Sequence, residues 1–242
     1  SLEISESVDI QGPGSGVVTI DADGTSNVFY VYNNGSYISV SVSDLTVTGG
    51  LDSSYGGGFT VWGENLELDH MVITGNTGKE AGAIYFYGHY TDAEATLTIR
   101  NSTISGNTGS SYAGGIYVQS AGVTGSTGLL IENSTITGND AGTYAGGLYI
   151  DDSSVTPVSI TNSIIAGNTA GDDGNDIYSG ESAPLSIDYS LIGDTTGYTA
   201  DAGTGNLTGD PMLGALADNG GSTKTHLPQA GSQVIDAGDP GF

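Results

Sequence analysis

Apolar residues in this chain come in short runs with a period of two, as in Leu97-Thr98-Ile99 and Ile116-Tyr117-Val118. No useful stretch keeps the i, i+3, i+4 spacing of an amphipathic helix, so each run predicts a short strand. The strands belong to a longer repeat. Ile99–Asn107 reads Ile-Arg-Asn-Ser-Thr-Ile-Ser-Gly-Asn, and the stretches starting at Ile131 and Ile160 overlay it, with weaker copies starting at Val42, Leu68 and Ile187. Positions equivalent to Asn101 are Asp44, His70, Asn133, Asn162 and Tyr189, so the unit recurs every 26 to 32 residues. A second run follows each first one, at Ala83–Phe86, Gly115–Val118, Gly147–Ile150 and Asp176–Tyr178. A third strand per unit is expected in the variable stretches, such as Thr96–Ile99.

Strands that return at this interval without a crossover helix suit successive coils of a solenoid, paired in parallel about 4.8 Å apart. The expectation is all-β: a single-stranded, right-handed parallel β-helix of roughly seven to eight coils. Residues 1–195 form it. Residues 196–242 are less regular and are expected to cover the last coil, whose strands are otherwise open edges. In register, Val42, Leu68, Ile99, Ile131, Ile160 and Ile187 make one inward column, and Val47, Ile73, Ile104, Ile136, Ile165 and Ile192 another. Alternation turns Tyr85, Tyr117, Tyr149 and Tyr178 outward, together with rows such as Thr46/Thr48, Thr103/Ser105 and Thr135/Thr137.

Composition narrows the classes. The 242 residues include 41 Gly and no Cys, so turns are frequent and no disulfide framework exists. Net charge is −25 with only Lys79, Arg100 and Lys224 basic, which argues against nucleic acid or anionic lipid as partners. No run of about eighteen apolar residues is present, so no membrane-spanning helix is expected. The opening Ser1-Leu2-Glu3-Ile4 lacks the features of a signal peptide, so a removed signal or a fragment is expected.

Gly106-Asn107 followed by Ala113-Gly114-Gly115-Ile116-Tyr117, and Gly138-Asn139 followed by Ala145-Gly146-Gly147-Leu148-Tyr149, resemble the right-handed parallel β-helix repeats of bacterial surface proteins. They look most like the Gly-Asn and Gly-Gly-Ala-Ile repeats of the polymorphic outer-membrane protein family. The opening Ile10–Gly14 with Val18–Asp21 is similar to the start of large secreted proteins of this kind, and Asp210–Gly214 through Asp236–Asp239 resembles their C-terminal end. The resemblance implies a bacterial extracellular or cell-surface setting, but no particular activity, because adhesins, lyases and hydrolases share this architecture.

Chemistry-bearing residues are sparse. Arg100, a candidate lyase base, falls in a column between Asp69 and Glu132, where a charge sandwich explains it. The Asp44, His70, Asn101, Asn133, Asn162, Tyr189 column reads as a ladder of amides at a solenoid corner. The Gly-His-Gly and Arg-x-Lys segments of pectin-degrading β-helices are absent. Carboxylates at turns suit Ca²⁺, a hard cation that takes oxygen ligands, so Asp151, Asp152, Asp172, Asp173 and Asp176 are the candidate metal ligands. Tyr85, Tyr117, Tyr149 and Tyr178 are the candidate ligand-binding residues, as an exposed aromatic face for a sugar. No catalytic residue is assigned. The expected function is a monomeric, non-catalytic module for adhesion, glycan contact or spacing, with an extracellular glycan or host surface as partner. Two alternatives stay open: a polysaccharide lyase or glycoside hydrolase acting through those acids, and an ice-binding protein with the Thr rows as its flat face.

Overall fold

The computed structural model describes all residues except Ser15, Ser36, 89–94, 121–127, 152–156, 180–184 and Phe242. Every regular element among the described residues is a strand. Sheet A pairs Leu2–Ile4, Phe29–Val31, Phe59–Trp62, Ile84–Tyr87, Ile116–Gln119, Leu148–Ile150 and Ile177–Ser179 in that order. Sheet B runs from Val8–Gln11 to Ser186–Asp188, and sheet C from Thr19–Asp21 to Leu207–Thr208. A minor ladder of two-residue strands, Leu51–Asp52 through Thr169–Ala170, links sheet C back to sheet A. All the pairings in these sheets are parallel, so the chain winds A, B, C and back to A. Seven strands in sheet A give about six complete turns, slightly fewer coils than the repeat suggested.

The two inward columns form as expected. Leu68, Ile99, Ile131, Ile160 and Ile187 are Cα partners in sheet B, as are Ile73, Ile104, Ile136 and Ile165 in sheet C. They are almost fully buried and join Phe29 and Phe59, whose rings stack at 4.7 Å. Burying each such side chain contributes roughly 1.5–3 kcal/mol.

Two sharp corners set the coil shape. Between sheets B and C, Asp44, His70, Asn101, Asn133, Asn162 and Tyr189 all have φ between 47° and 59°. Among residues with a side chain, that left-handed conformation is least costly for Asn and Asp, which accounts for four of the six positions without amide stacking. After sheet C, Gly75, Gly106, Gly138 and Gly167 have φ between 64° and 71° and turn the chain into the minor ladder.

The C-terminal segment does more than close an end. Leu207–Thr208 adds a rung to sheet C, and Tyr198 packs against the core. The chain then forms an antiparallel hairpin, Leu213–Ala217 with Thr225–Pro228, and runs back along the flank of the solenoid. Thr103 Oγ1 donates to the Lys224 carbonyl (3.2 Å), and the Asp239 amide donates to Asn162 Oδ1 (2.8 Å). Thr46, Val72 and Thr103 on the outer face of sheet C are buried. The flat, exposed Thr face expected of an ice-binding surface is therefore absent from these rungs.

Candidate functional site

The most continuous polar feature lies inside the molecule. The Asn of each Gly-Asn corner turns inward and is buried: Asn76, Asn107, Asn139 and Asn168. Asn107 shows the unit. Its Oδ1 accepts from the Asn76 amide (3.1 Å) and Asn76 Nδ2 (2.9 Å), while its Nδ2 donates to Ile73 O (3.0 Å) and Asn139 Oδ1 (2.9 Å). The Asn139 side chain repeats the pattern with Asn168, and Asn168 donates to Asp176 Oδ1 from both its amide and Nδ2. Asp176 closes this polarised row, its Oδ2 accepting from the Asp194 amide at 2.7 Å. Burial pushes the Asp176 carboxyl up from its ordinary range, and the Asn168 and Asp194 donors only partly offset that. A parallel row of serines lines the other corner: the Met71, Ser102, Ser134 and Ser163 amides donate to the hydroxyls of Ser102, Ser134, Ser163 and Ser190. Both rows satisfy corner amides that the sheets leave unpaired.

The outward tyrosines are placed as expected in register but not in exposure. Tyr85, Tyr117 and Tyr149 are Cα partners, with Tyr178 next, yet the first three are only 4–7% exposed. Tyr112 and Tyr144, from the connections leading into sheet A, pack over Tyr117 and Tyr149 with ring centroids 5.4 to 6.0 Å away, and Tyr55 and Trp62 cover Tyr85. The column is thus a second apolar core outside the coil, with Ala81, Ala113 and Ala145, not an open aromatic face. At its edge Asp151 accepts from Tyr117 OH (2.8 Å), Gln119 Nε2 (2.7 Å) and Tyr149 OH (3.3 Å). Burial, then the Asp151 carboxylate, raises the Tyr117 hydroxyl well above the ordinary phenol range; burial does the same for Tyr85 and Tyr149.

Among the described residues, the candidate metal ligands fall at three separate places. Asp151 sits on the tyrosine edge, Asp176 closes the asparagine row, and Asp172 and Asp173 occupy an exposed turn where Asp173 Oδ1 accepts from the Gly174 amide. Asp152 lies outside the described residues. Among the described residues no three His, Asp or Glu side chains are grouped to hold a metal ion. Arg100 is an ion-pair residue with a changed partner. Its Cα partners are Asp69 and Glu132, but its Nη1 reaches Glu67 (2.6 Å) while Nε donates to Glu132 (3.0 Å). Asp69 instead accepts from Asn101 Nδ2 and lies 2.9 Å from His70 Nδ1.

One face open to solvent is the outer side of sheet B over the first four coils. Ser7, Asp9, Ser39, Ser41, Asn65, Glu67, Thr96 and Thr98 line a trough of about 560 Å³. Asn65 ties three rungs together: its Oδ1 accepts from Tyr37 OH, the Thr96 amide and Thr96 Oγ1, and its Nδ2 donates to Ser39 Oγ. The trough is therefore a surface of hydroxyls, one amide and two carboxylates around the exposed Val8 side chain, laid out at rung spacing.

The family model for a right-handed β-helix region matches residues 8–195, most of the chain. The chain belongs to this family. No curated protein and no solved structure is significantly similar. Membership fixes the handedness and architecture of this β-helix and leaves its chemistry to the surface. No helix among its described residues is long and apolar enough to cross a membrane. The trough was missed from sequence because serines and threonines in outward positions look like ordinary strand formers. The one available signal was the set of polar side chains at every second residue of Ser39-Val40-Ser41 and Asn65-Leu66-Glu67.

Proposed function

We propose that this β-helix is a non-catalytic, extracellular module of a bacterial surface or secreted protein that spaces its neighbours and contacts neutral glycan. The observation that carries the reading is where the reactive side chains go. Arg100 is held by Glu67 and Glu132, Asp176 by the asparagine row, and Asp151 by two tyrosines and Gln119. Each is used to hold coils together. The open surface carries hydroxyl and amide groups in a trough running along the axis, and rungs about 4.8 Å apart approximate the length of one sugar unit. A net charge of −25 favours neutral over uronate chains.

Calcium enters this reading as a ligand of the exposed Asp172–Asp173 turn and not of Asp176, whose two oxygens already accept three N–H donors. Thermal midpoints that coincide in Ca²⁺ and EDTA refute that part. The reading as a whole is tested by incubating the protein with neutral and uronate polysaccharides. Retardation in affinity electrophoresis without reducing or unsaturated products is expected; product formation refutes it.

A further inference from the structure

The coil containing Phe29–Val31 carries two exposed aromatics that the buried tyrosine column lacks. Tyr32 is 39% and Tyr37 41% exposed, and they stand at either end of the turn from sheet A to sheet B. That turn is pinned from beneath. Glu64, only 2% exposed, accepts the Asn33 amide on Oε1 (3.0 Å) and the Ile38 amide on Oε2 (2.7 Å). Asn33 in turn accepts the Gly35 amide on Oδ1 and donates from Nδ2 to the Ser5 carbonyl. A buried carboxylate costs free energy unless fully hydrogen-bonded, and here it fixes the backbone at Asn33 and Ile38, beside the two rings.

On one side of the turn a pocket of about 420 Å³ is lined by Glu3, Ser5, Tyr30, Tyr32, Asn33 and Asn34. The Tyr30 and Tyr32 rings meet edge-on at 6.5 Å, and Tyr32 OH donates to Asn34 Oδ1 (3.0 Å). On the other side, Tyr37 OH donates to Asn65 Oδ1 (2.6 Å) at the lip of the sheet B trough. Aromatic faces flanked by amides, a hydroxyl and a carboxylate, all held in place beforehand, match the two-sided chemistry of a pyranose: apolar C–H faces and a hydroxyl rim.

We infer that the turn bearing Tyr32 and Tyr37 is a binding site for a neutral pyranose glycan, with one sugar in the Tyr30–Tyr32 pocket and the chain continuing past Tyr37 into the trough. The site rests on the glycan-contact reading and gives it a location. Glu3 and Asp9 along the path disfavour uronates and other anionic sugars.

The test is calorimetric titration of the whole chain with cellohexaose, mannohexaose, laminarihexaose and hexagalacturonate. The variants are Tyr32→Ala, Tyr37→Ala and Tyr32→Phe, with circular dichroism to verify the fold. At least one neutral hexasaccharide is expected to bind, each Ala variant to weaken it about tenfold or more, and Tyr32→Phe to retain most of the affinity. Amide shifts on the wild type should map to residues 30–38 and the trough, an independent readout should a variant misfold. Binding that is unaltered in both Ala variants, with shifts elsewhere, overturns the site and leaves the glycan-contact reading standing. Binding to none of the neutral probes overturns both. Binding to hexagalacturonate alone overturns the assignment of neutral sugars.

Discussion

Replacing Asn107 by Ala should be among the most damaging single substitutions in the molecule, although it removes only a small polar group. Asn107 is fully buried, and its side chain makes four hydrogen bonds across three coils. Truncation leaves the Asn76 amide and the Ile73 carbonyl without these partners in an interior that water does not reach. Asn76 Nδ2 still reaches the Val47 and Thr74 carbonyls, Asn139 Oδ1 still accepts the Asn107 amide, and the Ile73 carbonyl keeps its place in the sheet C ladder, so only the Asn76 amide is orphaned. At about 0.5–1.5 kcal/mol for each of the four lost hydrogen bonds, the loss is about 2–6 kcal/mol. Asn133→Ala is the control, because Asn133 is exposed and supplies a left-handed corner; its loss should stay within about 1–2 kcal/mol. Urea unfolding followed by far-ultraviolet circular dichroism compares the two. Since a solenoid can open coil by coil, hydrogen exchange at the Asn76 amide provides the local readout, and it should accelerate in Asn107→Ala alone. Equal midpoints for the two variants, or unchanged exchange at Asn76, would show that the row is not a stabilising element.

Three further outcomes follow from other parts of the molecule. Tyr85, Tyr117 and Tyr149 have hydroxyl pKa values raised above the unfolded value of about 10, so their contribution is whole below that pH and is lost as pH rises past it. Absorbance titration should show these phenols ionising only as the protein unfolds, and a stability flat across pH 10–12 would contradict their burial. Gly114→Ala places a Cβ 2.4 Å from the Asp140 amide nitrogen and 2.6 Å from the Gly146 carbonyl oxygen, so it should destabilise by at least about 1–3 kcal/mol. Gly128→Ala, whose nearest contact is a side-chain methyl at 3.4 Å, should be nearly neutral, and similar thermal midpoints for the two would refute the close approach. Arg100→Ala should cost no more than about 1 kcal/mol, and less in high salt, because its ion pairs are partly exposed. A larger, salt-independent loss would mean that Arg100 does more than bridge Glu67 and Glu132.

Much of the fold is written locally. Period-two alternation and the spacing of the Ile-x-Asn-Ser-Thr-Ile-x-Gly-Asn unit place Ile99 on Ile131 and Ile104 on Ile136, because a one-residue slip would turn the apolar face outward. The corners are equally local: a left-handed residue between sheets B and C and a glycine after sheet C are demanded by backbone geometry alone. Which asparagine is buried was not legible. The Asn of Asn-Ser-Thr and the Asn of Gly-Asn repeat equally well, and only the closed coil shows that the second points inward, where its amide spans neighbouring rungs.

Alternation decides on which side of a strand a residue stands, but not what lies over that side. Tyr117 is outward in sequence and buried in the structure because Tyr112, carried by the connection into sheet A, folds across it. Thr103 is outward and buried because the C-terminal hairpin returns more than a hundred residues later to lie along sheet C. Tyr32 and Tyr37 stay open, above a turn that Glu64 holds from a coil further on. The repeat determines the rod. Where its surface is covered and where it is open is decided by segments that do not repeat, and their contacts exist only once the coils are stacked.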